Sequence, residues 1–486
     1  MSSPATSSGT AGTATLTYQI GVGGEIYTVG VGWGAGGWGG NTGGTLTGWG
    51  LAAPAGIGIG IQLRLWSEDN FGDYLVMNPR GGAIYMWVPA VSPSTYNRAQ
   101  VLSSTNTNTQ DGVQYWLSDT SCPNVANIVA TSDTSRFVIA FGCNNLPATM
   151  GGVAPTTLDP LLVRWSDQED YKVWYPEATN QAGSFRLSIG SSIVAELQSR
   201  QEILIWTDAA LYSMQYLGPP LVWGFQILGD NISIMGPNAP TTAANVTYWM
   251  GRDKFYMYSG RVETLYCPLR QYIFGDINLE QAYQFFGSTN EAFNEIWFYY
   301  CSSNSNVIDR YVIYNHVEKI WSYGNLARTA WLDTSLRDFP TAAGYGGQLI
   351  YHENGVNDGS TNPPSPIVSY IQSADFNIGD GHNYGFVWRM IPDITFDGSS
   401  VNNPSVTFSM RPRQNPGSNY GTAPTPAVTS TLNFQTQRNY LVQQFTQIVY
   451  TRIRGRQMAF KISSDGLGVQ WQLGVPSIDV RPDGRR

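Results

Sequence analysis

The feature that most constrains the fold of this chain is a short pattern that recurs many times: an apolar run, a polar interruption of a few residues and a second apolar run. The stretch YVIYNHVEKIWSYG, residues 311 to 324, is one copy, and runs of the same style follow one another from residue 61. The runs combine β-branched and aromatic residues, which favour strands, and the interruptions hold residues that favour turns. The pattern predicts successive hairpins, with residues 315 to 319 forming the turn between the outer strands of one sheet.

Helical signals are rare in this sequence. The stretch DINLEQAYQFFG, residues 276 to 287, predicts one short helix, which Asp276 or Asn278 can cap and Gly287 can end. A mostly parallel α/β fold needs an amphipathic helix between successive strands, and the sequence lacks such helices. The chain is therefore predicted to be all-β.

Tryptophan spacing suggests how the strands are grouped. Six of the 16 tryptophans lie at intervals of 50, 49, 41, 43 and 48 residues, namely Trp66, Trp116, Trp165, Trp206, Trp249 and Trp297. A four-stranded propeller blade takes roughly 40 to 50 residues. Three of these tryptophans precede a short acidic turn, in Trp66-Ser67-Glu68-Asp69, Trp165-Ser166-Asp167 and Trp206-Thr207-Asp208, and residues 78 to 82 predict a hairpin turn.

These patterns divide the chain into three parts. Residues 1–60 are predicted to be a mobile Ser/Thr/Ala/Gly-rich tail followed by an irregular Gly/Trp-rich segment. Residues 61–354 are predicted to form β-propeller blades. Residues 355–486 begin with the linker-like stretch GVNDGSTNPPSP and continue with alternating strands, which predict an additional C-terminal antiparallel β-sandwich-like domain.

The charge balance argues against a general nucleic-acid binder, because the formal net charge is -8. Residues 450–486 hold seven basic and three acidic side chains, a net charge of +4, which leaves -12 for the remainder. In this basic segment, alternation places Ile453 on the face opposite Arg452 and Arg454, as in a half-exposed strand. A protein contact through this segment is favoured over a DNA contact.

Few residues carry an enzymatic signature. Cys122, Cys143, Cys267 and Cys301 lack CxxC spacing and nearby histidines, so they are predicted to be buried free thiols. His316, His352 and His382 belong to no catalytic motif, and the glycine-rich stretch at 21–50 lacks the GK[ST] of a phosphate-binding loop. No cofactor, secretory signal or membrane span is predicted, the last because no apolar run reaches about 18 residues.

Two oxygen-rich regions leave alternatives open. In WSDQED, residues 165 to 170, the carboxylates of Asp167, Glu169 and Asp170 could serve a glycosidase, with Trp165 and Trp174 as a sugar platform. Calcium could bind at Asn357, Asp358 and Asn362, or at DGSSVNN, residues 397 to 403. Ordinary solvated turns are favoured in both regions.

Several phrases together resemble one protein family. They are WSDQED, LYSMQYLGPPLVW, YWMGRDKFYMYSGRVETL, NEIWFYY with YNHVEKIWSYG, and RGRQMAFKISSDGLGVQWQLGVPSIDVRPDGRR. In this order they are similar to the tail nozzle proteins of short-tailed bacteriophages, also called tail tubular protein B or packaged-DNA stabilisation proteins. The similarity runs from about residue 25 to the end of the chain. None of these phrases is a catalytic fingerprint.

The resemblance implies a structural, non-enzymatic component of the virion tail. Such nozzles are similar to β-propellers with added β-rich domains, and six copies form a tube below the portal and its adaptor protein. The tube conducts viral DNA without sequence-specific binding and helps to retain it, and it contacts a tail fibre or tip protein. The family usually carries a further section before the Gly/Trp-rich stretch, so a blade is expected from another chain or from upstream residues.

Two other functions remain open beside the nozzle. One is a Trp-lined glycan hydrolase that uses Asp167, Glu169 or Asp170, and the other is a receptor-binding or lectin-like module of a phage tail. For the nozzle, the loop tips NTNTQDG (residues 106 to 112) and GNLARTAW (residues 324 to 331) are candidates for gate or interface roles.

Overall fold

The computed structural model of the protein describes residues 65–89, 99–133, 135–152, 154–334, 338–359, 361–377, 381–418, 420 and 437–484. The chain divides into two compact units between Leu349 and Ile350. The boundary predicted from the sequence, between residues 354 and 355, lies a few residues later. The predictions for residues 1–60, including the Gly/Trp-rich segment, fall outside the described residues.

The first unit is a β-propeller, and from residue 65 onward its described residues form five four-stranded antiparallel sheets that follow one another along the chain. The first blade contains β1 (Trp66–Phe71), β2 (Tyr74–Pro79), β3 (Tyr85–Trp87) and β4 (Gln100–Val101), and the second contains β5 (Ala126–Thr131), β6 (Val138–Asn144), β7 (Leu158–Trp165) and β8 (Gly183–Arg186). The third contains β9 (Ile193–Gln198), β10 (Ile203–Thr207), β11 (Ala210–Gly218) and β12 (Val222–Asp230). The fourth contains β13 (Thr241–Ala243), β14 (Val246–Met250), β15 (Phe255–Tyr258) and β16 (Val262–Leu265), and the fifth contains β17 (Phe286–Asn290), β18 (Glu295–Tyr300), β19 (Arg310–Asn315) and β20 (Ile320–Asn325).

A three-stranded sheet follows the fifth blade. It contains β21 (Ala330–Leu332), β22 (Thr341–Ala343) and β23 (Leu349–Tyr351). The described helices are short: α1 (Arg270–Gly275) and two 3-10 helices, Leu279–Gln284 and Glu291–Phe293. Among the described residues, no helix is long and apolar enough to cross a membrane.

The helix predicted over residues 276 to 287 is only partly correct. Asn278 does cap a helix, since its side chain accepts a hydrogen bond from the Glu280 N–H, but the element is a 3-10 helix that ends at Gln284. Gly287 does not end the helix and lies in β17 instead. The reason is local packing. The Gly287 N–H donates to the Asn238 carbonyl, and a Cβ at position 287 would lie only 2.7 Å from the neighbouring Ala239 carbonyl oxygen.

The hairpin predictions are confirmed where the turn residues are clear. The stretch from 311 to 324 forms β19, a turn and β20, the two outer strands of the fifth blade. The turn predicted at residues 78 to 82 joins β2 to β3, with Met77 opposite Tyr85. The turn predicted at Trp66-Ser67-Glu68-Asp69 is wrong, because these residues lie inside β1 and pair with β2.

The tryptophan spacing matches the blade repeat only in the third, fourth and fifth blades. Trp206, Trp249 and Trp297 each lie in the second strand of a blade, in β10, β14 and β18. In contrast, Trp66 lies in a first strand and Trp165 in a third. The first strands of the five blades begin at residues 66, 126, 193, 241 and 286, so their spacings are 60, 67, 48 and 45. Long connections lengthen the first two blades and disturb the period there.

Neighbouring blades share hydrophobic cores. One core joins the first and second blades around Val76, Trp116 and Leu162, and another joins the second and third around Phe141 and Tyr212. The largest core joins the third, fourth and fifth blades through side chains that include the three equivalent tryptophans. Each blade is therefore stabilised by burial against the next one along the chain.

The first strand of a blade has a strand neighbour on one side only, and groups from another blade satisfy its free edge. The N–H groups of Val129 and Thr131 in β5 donate to Ser67 Oγ (2.9 Å) and Asp69 Oδ2 (2.7 Å) of β1. The guanidinium of Arg80, after β2, donates to the carbonyls of Ile193 (3.0 Å) and Val194 (3.2 Å) in β9. These bonds align the inner strands of the first three blades.

The second unit is an antiparallel β-sandwich-like domain. Its strands are β24 (Asn357–Asp358), β25 (Ser365–Pro366), β26 (Ser369–Gln372), β27 (Phe376–Asn377), β28 (Gly385–Ile391), β29 (Ile394–Thr395), β30 (Ser405–Arg413), β31 (Arg438–Gln443), β32 (Val449–Gly455), β33 (Gln457–Ser464), β34 (Gln472–Leu473) and β35 (Ser477–Pro482). One sheet has the order β26-β33-β30-β31 with β27 on β33, and the other has the order β32-β28-β35. Val387 and Ile453 from one sheet share a core with Phe408 and Ile462 from the other.

We predict that Asp69→Ala destabilises the propeller by about 1–3 kcal/mol, because the Thr131 N–H would lose its acceptor. Asp69→Asn keeps an acceptor oxygen and should cost less. Asn70→Ala, at an exposed neighbour, serves as the control and should change the free energy of unfolding by no more than about 0.5 kcal/mol. Chemical denaturation monitored by tryptophan fluorescence measures all three, and equal losses for Asp69→Ala and Asn70→Ala would contradict this role.

Candidate functional site

A cavity lies where the inner strands of the first three blades approach one another. Its volume is about 330 Å³. The lining residues come from the start of β1 and the residue before it, the residue after β2, β5, β9 and the segment before β13. They are Leu65, Trp66, Ser67, Glu68, Arg80, Asn127, Ile128, Val129, Glu196, Pro237 and Asn238. Three blades thus contribute ionisable or amide side chains to one cavity, at which Glu68 and Asn238 are exposed to solvent.

Glu196 is the most perturbed acidic group of this cavity. It projects from β9, where it pairs with Ile205 of β10, and its Oε2 is buried with no hydrogen-bond partner in the described structure. Burial, with a smaller contribution from the negative charge of Asp69, raises the pKa of Glu196 to about 8. At neutral pH this carboxyl is therefore mostly protonated and can donate a hydrogen bond.

Arg80 supplies the positive charge of the cavity. Its guanidinium is fixed by the two β9 carbonyls just before Glu196 in sequence, and burial lowers the pKa of Arg80. The backbone continues into a tight turn, in which Gly81 has φ 73° and donates its N–H to the Ala126 carbonyl (2.8 Å). The turn predicted from the sequence at this point therefore also positions a charged side chain.

The carboxylates of WSDQED do not line the cavity at the inner strands. They lie on a tight turn after β7, in which Asp167 and Asp170 form a backbone bridge and Glu169 adopts φ 59°. Asp167 Oδ1 accepts hydrogen bonds from the N–H groups of Gln168 and Gln181, both at 2.8 Å. These contacts give Asp167 a structural role in the turn.

The two tryptophans suggested as a sugar platform belong to the core. Trp174 is completely buried, and its Nε1 donates to the Tyr171 carbonyl. Trp165 is 6% exposed and covers Gly183, with Nε1 donating to the Gln181 carbonyl. Because neither ring face is available to a ligand, the platform hypothesis for this pair is wrong.

The suggested calcium ligands make protein contacts or lie in turns. Asn357 and Asp358 form β24, and Asn357 Oδ1 accepts from the Gly468 N–H (2.6 Å). Asn362 precedes a cis peptide bond to Pro363. Within the described ranges, no group of three or more His, Cys, Asp or Glu side chains could hold a metal ion.

The histidines lie in three different elements. His316 lies in the turn between β19 and β20, where its N–H donates to the Asn294 carbonyl (3.1 Å). His352 follows β23, and His382 precedes β28. The structure brings none of them into the cavity at the inner strands.

The two candidate gate loops differ in character. Residues 106–112 form a half-buried to exposed turn, in which Asn106 Nδ2 donates to the Val101 carbonyl (2.8 Å). The stretch from 324 to 331 instead ends at a packed side chain. Trp331 stacks on Trp297 with ring centroids 5.3 Å apart, and its Nε1 donates to the Thr289 carbonyl. Trp331 therefore joins β21 to the fifth blade.

Several basic side chains of the C-terminal segment make ion-pair or cation–π contacts within the second unit. The predicted alternation in β32 is confirmed, since Ile453 is buried while Arg452 is exposed and Arg454 half-buried. Arg454 pairs with Asp483 and lies 4.4 Å from the Tyr384 ring centroid. Similar stacks place Arg481 over Trp388 and Lys461 over Tyr370. Arg485 and Arg486 lie outside the described residues.

The four cysteines are free and buried, as predicted. Burial raises the pKa of Cys122, Cys143 and Cys301 to about 12 and that of Cys267 to about 11. The thiols are therefore protonated at physiological pH and poor nucleophiles.

Comparisons with known proteins identify no family for this chain. No family model matches, and no curated protein matches. Among solved structures, Kluyvelomyces marxianus Hsv2 has 8% sequence identity and a TM-score of 0.31, over 61% of this chain and 75% of that chain. The exo-β-1,3-galactanase of Phanerochaete chrysosporium has 10% identity and a TM-score of 0.20, over 87% and 97%. The fold assignment rests on the strand pairing described above, not on these weak likenesses.

The sequence interpretation missed Glu68, Arg80 and Glu196 as members of one site. A signal for Glu196 does exist, because the strand IVAELQ carries a single acidic residue among apolar neighbours. No comparable signal connects it to Glu68 and Arg80, which lie in other blades and more than a hundred residues earlier in the chain.

We predict that Glu196→Gln stabilises the propeller relative to the parent as the pH rises from about 4.5 to about 8. In this window the unfolded carboxyl ionises while the folded one stays protonated, so the free energy of unfolding of the parent falls with pH. The gain at about pH 8 should be roughly 1–2 kcal/mol and should vanish near pH 4.5. Calorimetry at both pH values tests this, with exposed Glu177→Gln as control. A difference that does not change with pH would contradict the assignment.

We predict that the native protein reacts with a thiol reagent such as DTNB far more slowly than the denatured protein, which should expose all four thiols. At about pH 8 an exposed cysteine reacts readily, whereas these buried thiols stay protonated. Absorbance of the released thiolate measures both states. Rapid reaction of any cysteine without unfolding would show that its burial is incomplete in solution.

Proposed function

We propose that the protein is a structural component of a bacteriophage virion, a tail nozzle subunit below the portal and adaptor. The observation that supports this most directly is the architecture: in the part of the chain that the structure describes, five four-stranded blades precede an antiparallel sandwich-like domain. This is the arrangement that the sequence resemblance implies. The proposed role is to conduct DNA during ejection and to retain it after packaging, without enzymatic chemistry.

Exposed apolar residues near the outer strands support assembly with identical subunits. Leu217 and Leu221 flank the connection between β11 and β12 and are 56% and 69% exposed. Ile320 and Tyr323 of β20, at the outer edge of the fifth blade, are 58% and 38% exposed. An outer strand also presents unpaired backbone groups, so such edges are ordinarily protected by charge or covered by another surface. A closed ring of six copies, the number that the family resemblance implies, would cover them.

The charge distribution suits a conduit for DNA. The net charge of -12 outside residues 450–486 avoids the counterion release that strengthens DNA binding to basic surfaces, so passage would not be slowed by a basic wall. In this proposal the adaptor protein and a tail fibre or tip protein bind at the ends of the ring. Viral DNA passes through the ring without sequence readout, and the protein is located in the virion tail after assembly in the host cytoplasm.

We predict that the full-length protein forms rings, alone or with the phage adaptor, at micromolar concentration. Leu221→Lys and Ile320→Lys should weaken ring formation at least about tenfold, because an unpaired charge would be buried at the subunit contact. Both residues are exposed in one subunit, so folding should change by less than about 0.5 kcal/mol. Mass photometry and negative-stain imaging measure the assembly.

The matched controls are Leu221→Met and Ile320→Val, which keep the surfaces apolar and should preserve the rings. A parent protein that stays monomeric with the adaptor present would refute the nozzle. Rings that tolerate both lysine variants would refute the placement of the contacts and leave the ring itself intact.

A further inference from the structure

Three chain segments meet at one end of the sandwich-like second unit. The end of β28 lies beside the starts of β32 and β35, because Met390 pairs with Val449 and Ile391 with Ser477. The segments at this end are residues 391–404, 444–448 and 465–476. The Val475 N–H of one segment donates to Asp393 Oδ2 of another (2.5 Å). These three segments are called the apolar end below.

The apolar end exposes large apolar side chains to solvent. Six of them are exposed, namely Ile391, Val401, Phe445, Ile448, Leu467 and Val475. Phe445 is the most exposed, at 85%. The charged residues of the three segments are Asp393, Asp397 and Asp465, a net charge of -3. Exposed apolar side chains grouped on one surface ordinarily mark a contact with another molecule.

The opposite end of the same sandwich is rich in arginine. The start of β28 lies beside the ends of β32 and β35, because Gly385 pairs with both Gly455 and Pro482. The arginines at or near this end are Arg411, Arg413, Arg438, Arg454, Arg456 and Arg481. Asp375 and Asp483 pair with two of them, so these eight described residues carry a net charge of +4. The nine-residue strand β30 separates the two ends by roughly 25 Å.

Aromatic rings position several guanidinium groups of this arginine-rich end. Arg411 and Arg413 lie over Tyr420, 5.0 Å and 4.3 Å from the ring centroid. Arg481 lies 4.5 Å from the ring centroid of Trp388. A guanidinium that stacks on a ring still presents N–H donors at its edge, and arginine and aromatic residues are enriched at protein interfaces. This end therefore suits a partner surface that offers both carboxylates and apolar side chains.

We propose that the apolar end of one subunit docks on the arginine-rich end of the next, so that the second units of neighbouring copies associate head to tail. The net charges of -3 and +4 attract each other, and the exposed apolar side chains are withdrawn from water against the aromatic rings. A contact of either end with itself is disfavoured, because like charges would then face each other.

A contact between two different surfaces has a consequence for assembly. Each added subunit leaves one surface of each kind open until the subunits close into a ring. The inference deepens the proposed function and rests on it, since it assigns one contact between the subunits of the proposed ring.

Two variants of the full-length protein, each with one end blocked, test the contact. Phe445→Arg with Asp465→Arg places positive charge on the apolar end, and Arg438→Glu with Arg481→Glu removes the positive charge of the other end. By mass photometry, each variant alone should self-associate at least about tenfold more weakly than the parent. An equimolar mixture of the two should form pairs, because each variant keeps one intact end.

The matched control is Arg200→Glu with Arg252→Glu, which makes the same change of charge at two exposed arginines of the propeller. Its self-association should stay within about twofold of the parent. Circular dichroism checks that each variant is folded. The single variants Phe445→Arg and Arg438→Glu, both at exposed positions, keep the test valid should a double variant unfold.

The proposal is overturned if both blocked variants associate like the parent, if their mixture forms no pairs, or if the control weakens association as much as they do. A parent that stays monomeric at micromolar concentration also overturns it. Rings that form in both blocked variants leave the nozzle proposal standing. Head-to-tail assemblies that do not bind the adaptor support this contact and refute the nozzle, so the two failures are distinguishable.

Discussion

The free edge of each inner strand is the constraint on which the propeller depends. A four-stranded meander leaves its first strand with N–H and C=O groups that have no partner within the sheet, and these groups face the centre of the unit. Here Ser67 and Asp69 accept from β5, and Arg80 donates to β9. A side chain in one blade thereby fixes the backbone of another.

Aromatic packing also joins neighbouring blades, at positions farther from the centre. Trp206 and Trp249, at equivalent positions in adjacent blades, meet edge to face with ring centroids 5.3 Å apart. Trp297 of the next blade stacks on Trp331 at the same distance. Aromatic pairs in these geometries contribute beyond the area they bury, so a chain with few charged residues can still hold wedge-shaped sheets together.

The cavity with Glu196 follows from this construction. Sheets that meet around a centre bring inner-strand side chains from several blades close together, and part of the cavity lining makes no bond between blades. Asp69 shows the contrast, because its two oxygens accept from backbone N–H groups of Asn70 and Thr131. Glu196 instead keeps one carboxyl oxygen out of contact with both water and protein donors, which explains the rise in its pKa.

The sequence by itself determined the all-β class, the hairpins at residues 74 to 87 and 311 to 324, and the buried thiols, because alternation and turn residues act over a few neighbouring positions. It also predicted the alternating face of β32. Tertiary structure decided which strand of a blade each tryptophan occupies and that Trp66 to Asp69 form a strand, because hydrogen bonds to residues 62 positions away determine that conformation. Only the fold brought Glu68, Arg80 and Glu196 together, since a period of two residues specifies which face a side chain takes but not which other strand it meets.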